Sequence, residues 1–390
     1  MVKFMRWDNL RLDDQLVADQ ETAGETLFPA ERRDVALPLI ERGAVARTFD
    51  TPGFRGMTFY EVQAKSVVNR VPEASRMPFR WTINPYRGCQ HSCVYCYARK
   101  SHSYLELDTG ADFDSKVVVK VNAPELTRKK MASASWQGEH IAMGTNVDCY
   151  QRAEGRYQLM PGIIGALKDA ANPFSILTKG TLILRDIDLL AEAAEVTDVG
   201  LNVSAGFIDK ELWRSVEPGT PAPERRLEAC ATLNERGLPC GVLMGPVVPF
   251  LSDSPAQLDA AVRQIAAAGA THVMPIVLHL RPGTREWYFR WLGANHPELV
   301  GRYLDLYGRS AYAPKSYQAR IAGQVRELAD KHGIGRPRPG FGHGRRLVPE
   351  RPTAGAPAQA PGSPAQASRA PAAADPMPLS PASSEQLTLL

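Results

Sequence analysis

Between residues 140 and 280, short apolar runs alternate with amphipathic stretches, and this alternation narrows the possible folds more than any other feature of the chain. HIAMGT (140–145) precedes a helical stretch near 158–171, and FSILTKG (174–180) precedes a helix at 186–195. VGLNVSA (199–205) leads to a helix at 223–236, PCGVLMGPVV (239–248) leads to one at 255–268, and HVMPIVLHL (272–280) follows. Asp186 and Ser254 stand where helix N-caps belong, and Gly237 and Gly269 where helices stop. Repeated β-then-α units predict a parallel sheet with helical crossovers. A first strand at about 79–84 (FRWTIN) makes six units. The expected fold is α/β, a partial (β/α)6 TIM-like barrel. No G-x-G-x-x-G follows the first strand, which argues against a dinucleotide-binding sheet.

The flanks differ from this core. Residues 1–75 are mixed and polar without periodicity, and are expected to form an N-terminal extension packed partly on the core. Residues 76–335 hold the barrel and a C-terminal helical part. Residues 336–390 begin basic and turn Pro/Ala-rich, and from about Pro349 they lack aromatics, so a disordered tail is expected. With 44% hydrophobic and 23% charged residues the chain has a globular, soluble composition. Its longest apolar run, 237–251, is short and broken by three prolines, so no membrane span is expected. The N-terminus lacks the apolar core of a signal peptide, which points to the cytoplasm. Cysteines that cluster there usually mean metal or redox chemistry.

Such a cluster is present. Cys89, Cys93 and Cys96 form C-x3-C-x2-C within YRGCQHSCVYCY (86–97), at the end of the first strand. Active sites of barrels lie at the C-terminal strand ends. Three thiolates can hold three irons of a 4Fe–4S cluster and leave one iron open, whereas structural zinc wants four closed ligands. His91 is the only nearby candidate for a fourth ligand, and its place between two cysteines makes joint ligation awkward. Polar residues also mark later strand ends: Asp148, Lys179, then Asn202 and Ser204, whose spacing of two puts them on one face.

These features resemble the radical SAM superfamily. The resemblance implies a barrel of the radical SAM type and a 4Fe–4S cluster whose open iron is chelated by S-adenosylmethionine. It further implies reductive cleavage to a 5′-deoxyadenosyl radical, with flavodoxin or ferredoxin as electron donor. NPYRGCQHSCVYCYAR, GTNVDCYQ, LTKGTLILRDIDLL, and EPGTPAPERRLEA followed by PVVPF are together similar to spore photoproduct lyase-like proteins, over roughly residues 80–330. Carried over residue by residue, Cys89, Cys93 and Cys96 would hold the cluster and Tyr97 would lie against the adenosyl group. Asp148 would meet the methionine amino group, Lys179 its carboxylate, and Asn202 and Ser204 the ribose. Arg226 reads as an anchor to Glu217.

The chain departs from spore photoproduct lyase at the hydrogen donor. Thr145 stands where that enzyme's cysteine would align. Cys149 is then the nearby thiol that could donate hydrogen, with an inert core role as the competing reading; Cys230 and Cys240 read as core. The substrate class stays open between nucleic acid and a peptide or small metabolite, and a non-catalytic metal-binding protein is a third reading. One feature favours nucleic acid. Residues 309–346 carry nine Arg or Lys against Glu327 and Asp330, with Tyr312, Tyr317 and Phe341 interleaved.

Overall fold

The computed structural model describes residues 39–335, apart from 41, 42, 74 and 76. Most of the expected N-terminal extension and the expected tail from 336 lie outside the described residues. Eleven strands are described: β1 (Val45–Arg47), β2 (Thr58–Val62), β3 (Val68–Arg70), β4 (Trp81–Ile83), β5 (Tyr86–Arg87), β6 (Lys116–Lys120), β7 (Ile141–Met143), β8 (Phe174–Thr178), β9 (Val199–Ser204), β10 (Cys240–Val247) and β11 (Val273–Val277). The larger sheet has the order β11-β10-β9-β8-β7-β4-β3. The six strands from β11 to β4 in that order run parallel, and β3 adds an antiparallel edge. These six are the strands expected from the apolar runs, each within a few residues.

Helices Leu159–Asp169, Ile187–Val196, Pro223–Glu235 and Pro255–Ala267 make the crossovers. Ser254 caps its helix in a reciprocal capping box with Gln257. Asp186 does not cap. Its carboxylate instead accepts from the Tyr150 hydroxyl at 3.0 Å and pairs with Arg185 at 2.7 Å, because a buried carboxylate gains more from a guanidinium than from a backbone amide.

Strand register sorts the side chains into two kinds of row. Ile83, Met143, Ile176, Leu201 and Cys240 pair successively across five strands, all at most 1% exposed. They join Ile163, Leu190, Leu227 and Leu258 of the crossover helices in the main core. Each such aliphatic side chain contributes about 1.5–3 kcal/mol by leaving water. The adjacent row on the opposite face is small: Thr82, Ala142, Ser175 and Gly200. Asn202 and Ser204 share that face by the period of two.

A second sheet, β1-β2-β6-β5, stands beside the barrel. Within it β2 and β6 are parallel. Residues 45–70 therefore supply strands to both sheets. Finally, helix Lys315–Lys331 covers β11 and packs on Pro255–Ala267.

Candidate active site

The loop bearing Cys89, Cys93 and Cys96 is held by five separate segments. The Cys89 amide donates to Phe113 O at 3.0 Å, and the Val94 amide donates to Val216 O at 3.0 Å. Gln151 accepts from the Gln90 amide at 3.0 Å and donates to Gly88 O at 3.1 Å. The Thr284 hydroxyl donates to Cys96 O at 2.9 Å. Gly219 donates to His91 O at 3.1 Å, and a Cβ at Gly219 would lie 1.9 Å from Gln90 O, so only glycine permits this approach. Arg99, with no exposed surface, donates to Cys93 O at 3.0 and 3.2 Å, to Gly110 O at 2.9 Å, and to both Asp114 oxygens. Its guanidinium lies 4.9 Å from the Trp287 ring centre and 5.1 Å from that of Phe113.

Cys89 and Cys93 are buried and Cys96 is partly buried. Burial pushes all three thiols above their ordinary range, and Asp148 and the two neighbouring thiols push Cys89 further. A group that prefers the neutral thiol here becomes a ligand only when a metal supplies the compensating charge.

The strand ends converge on this loop. After β7, Asp148 accepts from the Thr178 hydroxyl (2.6 Å), the Lys179 amide (2.7 Å) and the Tyr150 amide (2.9 Å), and lies 3.3 Å from His91 Nδ1. Burial alone would raise its carboxyl, but the His91 ring and these donors hold it at about 2. His91 is thus occupied with Asp148. Asp148 in turn ties the cysteine loop to the ends of β7 and β8, with little acceptor capacity left over. After β8, Lys179 Nζ donates to Ser204 Oγ at 2.9 Å and lies 4.0 Å from Glu217. Ser204 Oγ donates onward to Gly245 O at 3.0 Å. Glu217, fully buried, accepts from Tyr95 and from Arg226, which also donates to Ser204 O at 3.0 Å. The Arg226–Glu217 anchor is therefore present and reaches further than expected, linking the cysteine loop through Tyr95 to the end of β9.

Two buried amides stay unmatched within this frame. Asn202 Oδ1 and both amide atoms of Gln90 are enclosed without a partner among the described residues. Burying a polar atom unpaired costs about 1–3 kcal/mol, so these atoms suit a ligand that arrives to pair them. The donor set fits a cluster with a chelated cofactor: three thiols on one held loop, a lysine at an adjacent strand end, and unmatched amides nearby. Among the described residues no three His, Cys, Asp or Glu converge on a single ion, whereas a cluster offers each thiolate an iron of its own.

Other candidates sit apart. Cys149 has no exposed surface and lies with Tyr86, Tyr150, Glu154 and Asp186 in a buried network. Tyr97 is 42% exposed, with the Arg281 guanidinium 5.6 Å from its ring centre. Of the basic segment, residues 309–335 are described, and part of their charge is paired: Arg320 with Asp253 at 3.3 Å and Lys331 with Asp259 at 2.8 Å. The sequence reading missed Arg99, the His91–Asp148 pair and the Arg281–Tyr97 contact. Arg99, placed three residues after Cys96 in an aromatic-rich run, was the one with a local signal.

Residues 83–260 match the family model described as the radical SAM superfamily. An uncharacterised protein of Mycobacterium tuberculosis is 48% identical over 327 residues, covering 84% of this chain and 94% of its own. An uncharacterised Methanocaldococcus jannaschii protein is 30% identical over 250 residues, covering 63% of this chain and 82% of its own. In fold the chain is similar to spore photoproduct lyase complexed with dinucleoside spore photoproduct, at a TM-score of 0.53 and 14% identity, over 71% of this chain and 80% of that one. No described helix is long and apolar enough to cross a membrane. The matched region takes in the cysteine loop and the ends of β7 through β10, where the polar groups above converge, and the chain belongs to the radical SAM superfamily.

Proposed function

We propose that the protein is a radical SAM enzyme whose cluster is held by Cys89, Cys93 and Cys96, and that its substrate is a nucleic acid strand presented at the barrel mouth. When bound, the 4Fe–4S cluster and S-adenosylmethionine supply one-electron cleavage to a 5′-deoxyadenosyl radical, with a flavodoxin or ferredoxin as the source of the electron. The chain's own part is to hold, orient and enclose. Lys179 would meet the methionine carboxylate as its counter-charge, kept in place by Ser204 and Glu217. Asn202 Oδ1 would take a ribose hydroxyl, and the Gln90 amide another polar group of the cofactor. Asp148 would act through position, fixing the Lys179 backbone and His91 rather than offering a free oxygen to the amino group.

The observation that carries this reading is the joining of the three-thiol loop to the β8 and β9 ends through one hydrogen-bonded frame, Tyr95–Glu217–Arg226–Ser204–Lys179. Substrate would enter beside Tyr97, where Arg281 also donates to the Tyr312 hydroxyl at 3.1 Å and the His279 ring lies 4.7 Å from that of Tyr312. Exposed aromatic rings with a guanidinium between them suit an unstacked base and its phosphate. Cys149, enclosed on every side, is read as core.

Anaerobic reconstitution with iron, sulfide, S-adenosylmethionine and dithionite tests the proposal. The expected result is about four irons per chain and production of 5′-deoxyadenosine, both lost in Cys89→Ala, Cys93→Ala and Cys96→Ala. Stoichiometric zinc without sulfide in anaerobically purified protein would sink it.

A further inference from the structure

One face of the smaller sheet carries two cations that pair with no carboxylate among the described residues. In β6, Lys116, Val118 and Lys120 share a face by strand alternation. Arg87 of β5 pairs directly opposite Val118, so Arg87 and Lys120 are diagonal neighbours on that same face. Lys116 has its acid, Asp112, at 2.9 Å. Arg87 and Lys120 feel no carboxylate among the described residues, although Lys120 is only 6% exposed. Burial, together with the adjacent guanidinium, pushes the Lys120 ammonium down to about 8. Lys120 is buried and Arg87 partly so, and holding a buried cation beside a second one costs free energy unless a counter-charge is present.

The described surroundings do not supply that charge, because the nearby carboxylate, Asp112, is already paired with Lys116. His102 Nε2 faces Lys116 O at 2.9 Å and must donate to it, which leaves Nδ1 a bare, buried acceptor on a neutral ring. Burial and the nearby Arg87 hold that imidazole down at about 4, with the Lys116 carbonyl and the Asp112 carboxylate opposing them. Tyr104, 58% exposed, lies close enough to Arg87 to act on its charge and marks the open side.

We infer that Arg87 and Lys120 form a binding site for a phosphate group, carried either by the free ion or by a phosphate monoester. A phosphate of this kind bears a charge of about −1.5 to −2 at neutral pH and so balances both cations, whereas one carboxylate leaves one of them unmatched. The guanidinium fork suits two phosphate oxygens, and the lysine serves as a point charge. This site uses neither Lys179 nor the cysteines, and it stands whether or not the radical chemistry proposed above is correct.

Melting of the full-length protein in an inorganic phosphate series, at ionic strength matched with sodium chloride, tests the inference. Phosphate stabilises many proteins through exclusion from their surface, so the deciding quantity is the difference between wild type and variants. Wild type should show a saturable rise in melting temperature. Lys120→Met should melt at or above wild type in chloride, having lost an unbalanced buried charge, and should need at least tenfold more phosphate for the same rise. Arg87→Gln should lose the response in the same way. A 5′-phosphorylated dinucleotide that competes, while its unphosphorylated twin does not, would assign the site to monoesters; competition by neither would assign it to the free ion. An equal phosphate response in wild type and both variants would overturn the site. So would marked destabilisation of Lys120→Met in chloride, since that result would mean the ammonium already has a partner within the protein.

Discussion

Arg99 holds a charge in the interior because each of its donors is used, and its acceptors belong to the segments that shape the cysteine loop. Arg99→Met would strand the Asp114 carboxylate and the Cys93 and Gly110 carbonyls, a loss of about 3–5 kcal/mol for a broken buried pair. Arg99→Lys retains the charge but cannot span these acceptors with one ammonium. It should fold, with lowered iron retention on anaerobic gel filtration and an altered cluster EPR signal, whereas wild-type values for both would show that the guanidinium is dispensable. Asp148 gives a prediction in pH. Its folded pKa, about 2, lies below the ordinary 3.8, so its contribution is fully present above about pH 4 and is lost as pH falls toward 2. That contribution is on the order of 2 kcal/mol. Denaturant midpoints of the metal-free protein should therefore fall more steeply with acid in wild type than in Asp148→Asn, and parallel curves would count against the His91–Asp148 pair.

At the level of elements, the six parallel strands were legible because each is a short apolar run followed by a helix signal, and Ser254 announced its helix correctly. The smaller sheet was not. β6 reads KVVVK, three apolar residues between lysines, and its pairing with β2 spans more than fifty intervening residues, which no local pattern encodes. The site divided along the same line. Three cysteines in eight residues are a local signal, whereas the Tyr95–Glu217 contact joins residues 122 positions apart. The Glu217–Thr220 turn is the piece that brings the two together. Gly219→Ala would set a methyl against the Gln90 carbonyl, and backbone on both sides must move. The expected cost is about 1–3 kcal/mol of overpacking, concentrated in the cysteine loop. Iron should therefore be lost faster to a chelator while the far-ultraviolet circular dichroism stays unchanged. Wild-type chelation kinetics would show that the turn does not support the loop.

Across the whole molecule, two basic surfaces compete for the role of nucleic-acid contact, and their partners separate them. The helix Lys315–Lys331 sits against β11 and Pro255–Ala267, with Arg320 and Lys331 paired to acids beneath it. Tyr97, Arg281 and Tyr312 stand next to Cys96, and both tyrosines are 42% exposed. Under the proposed function the radical would form at the cysteine loop and be short-lived, so a strand substrate would have to be held beside Tyr97 rather than on the outer helix. Stacking one base on an aromatic ring is worth about 1–3 kcal/mol, so Tyr312→Ala should weaken single-stranded DNA or RNA binding roughly tenfold. Arg281→Ala should lower affinity and also reduce the slope of log affinity against log salt by about one, the signature of one lost phosphate contact. Arg320→Gln with Lys331→Gln should change affinity less than twofold, because those charges already have partners. Titration over a salt series reads all three. A larger loss from the helix pair than from the mouth pair would move the docking surface to the outer helix. No binding of any strand at low salt would instead return the substrate to the peptide or metabolite class.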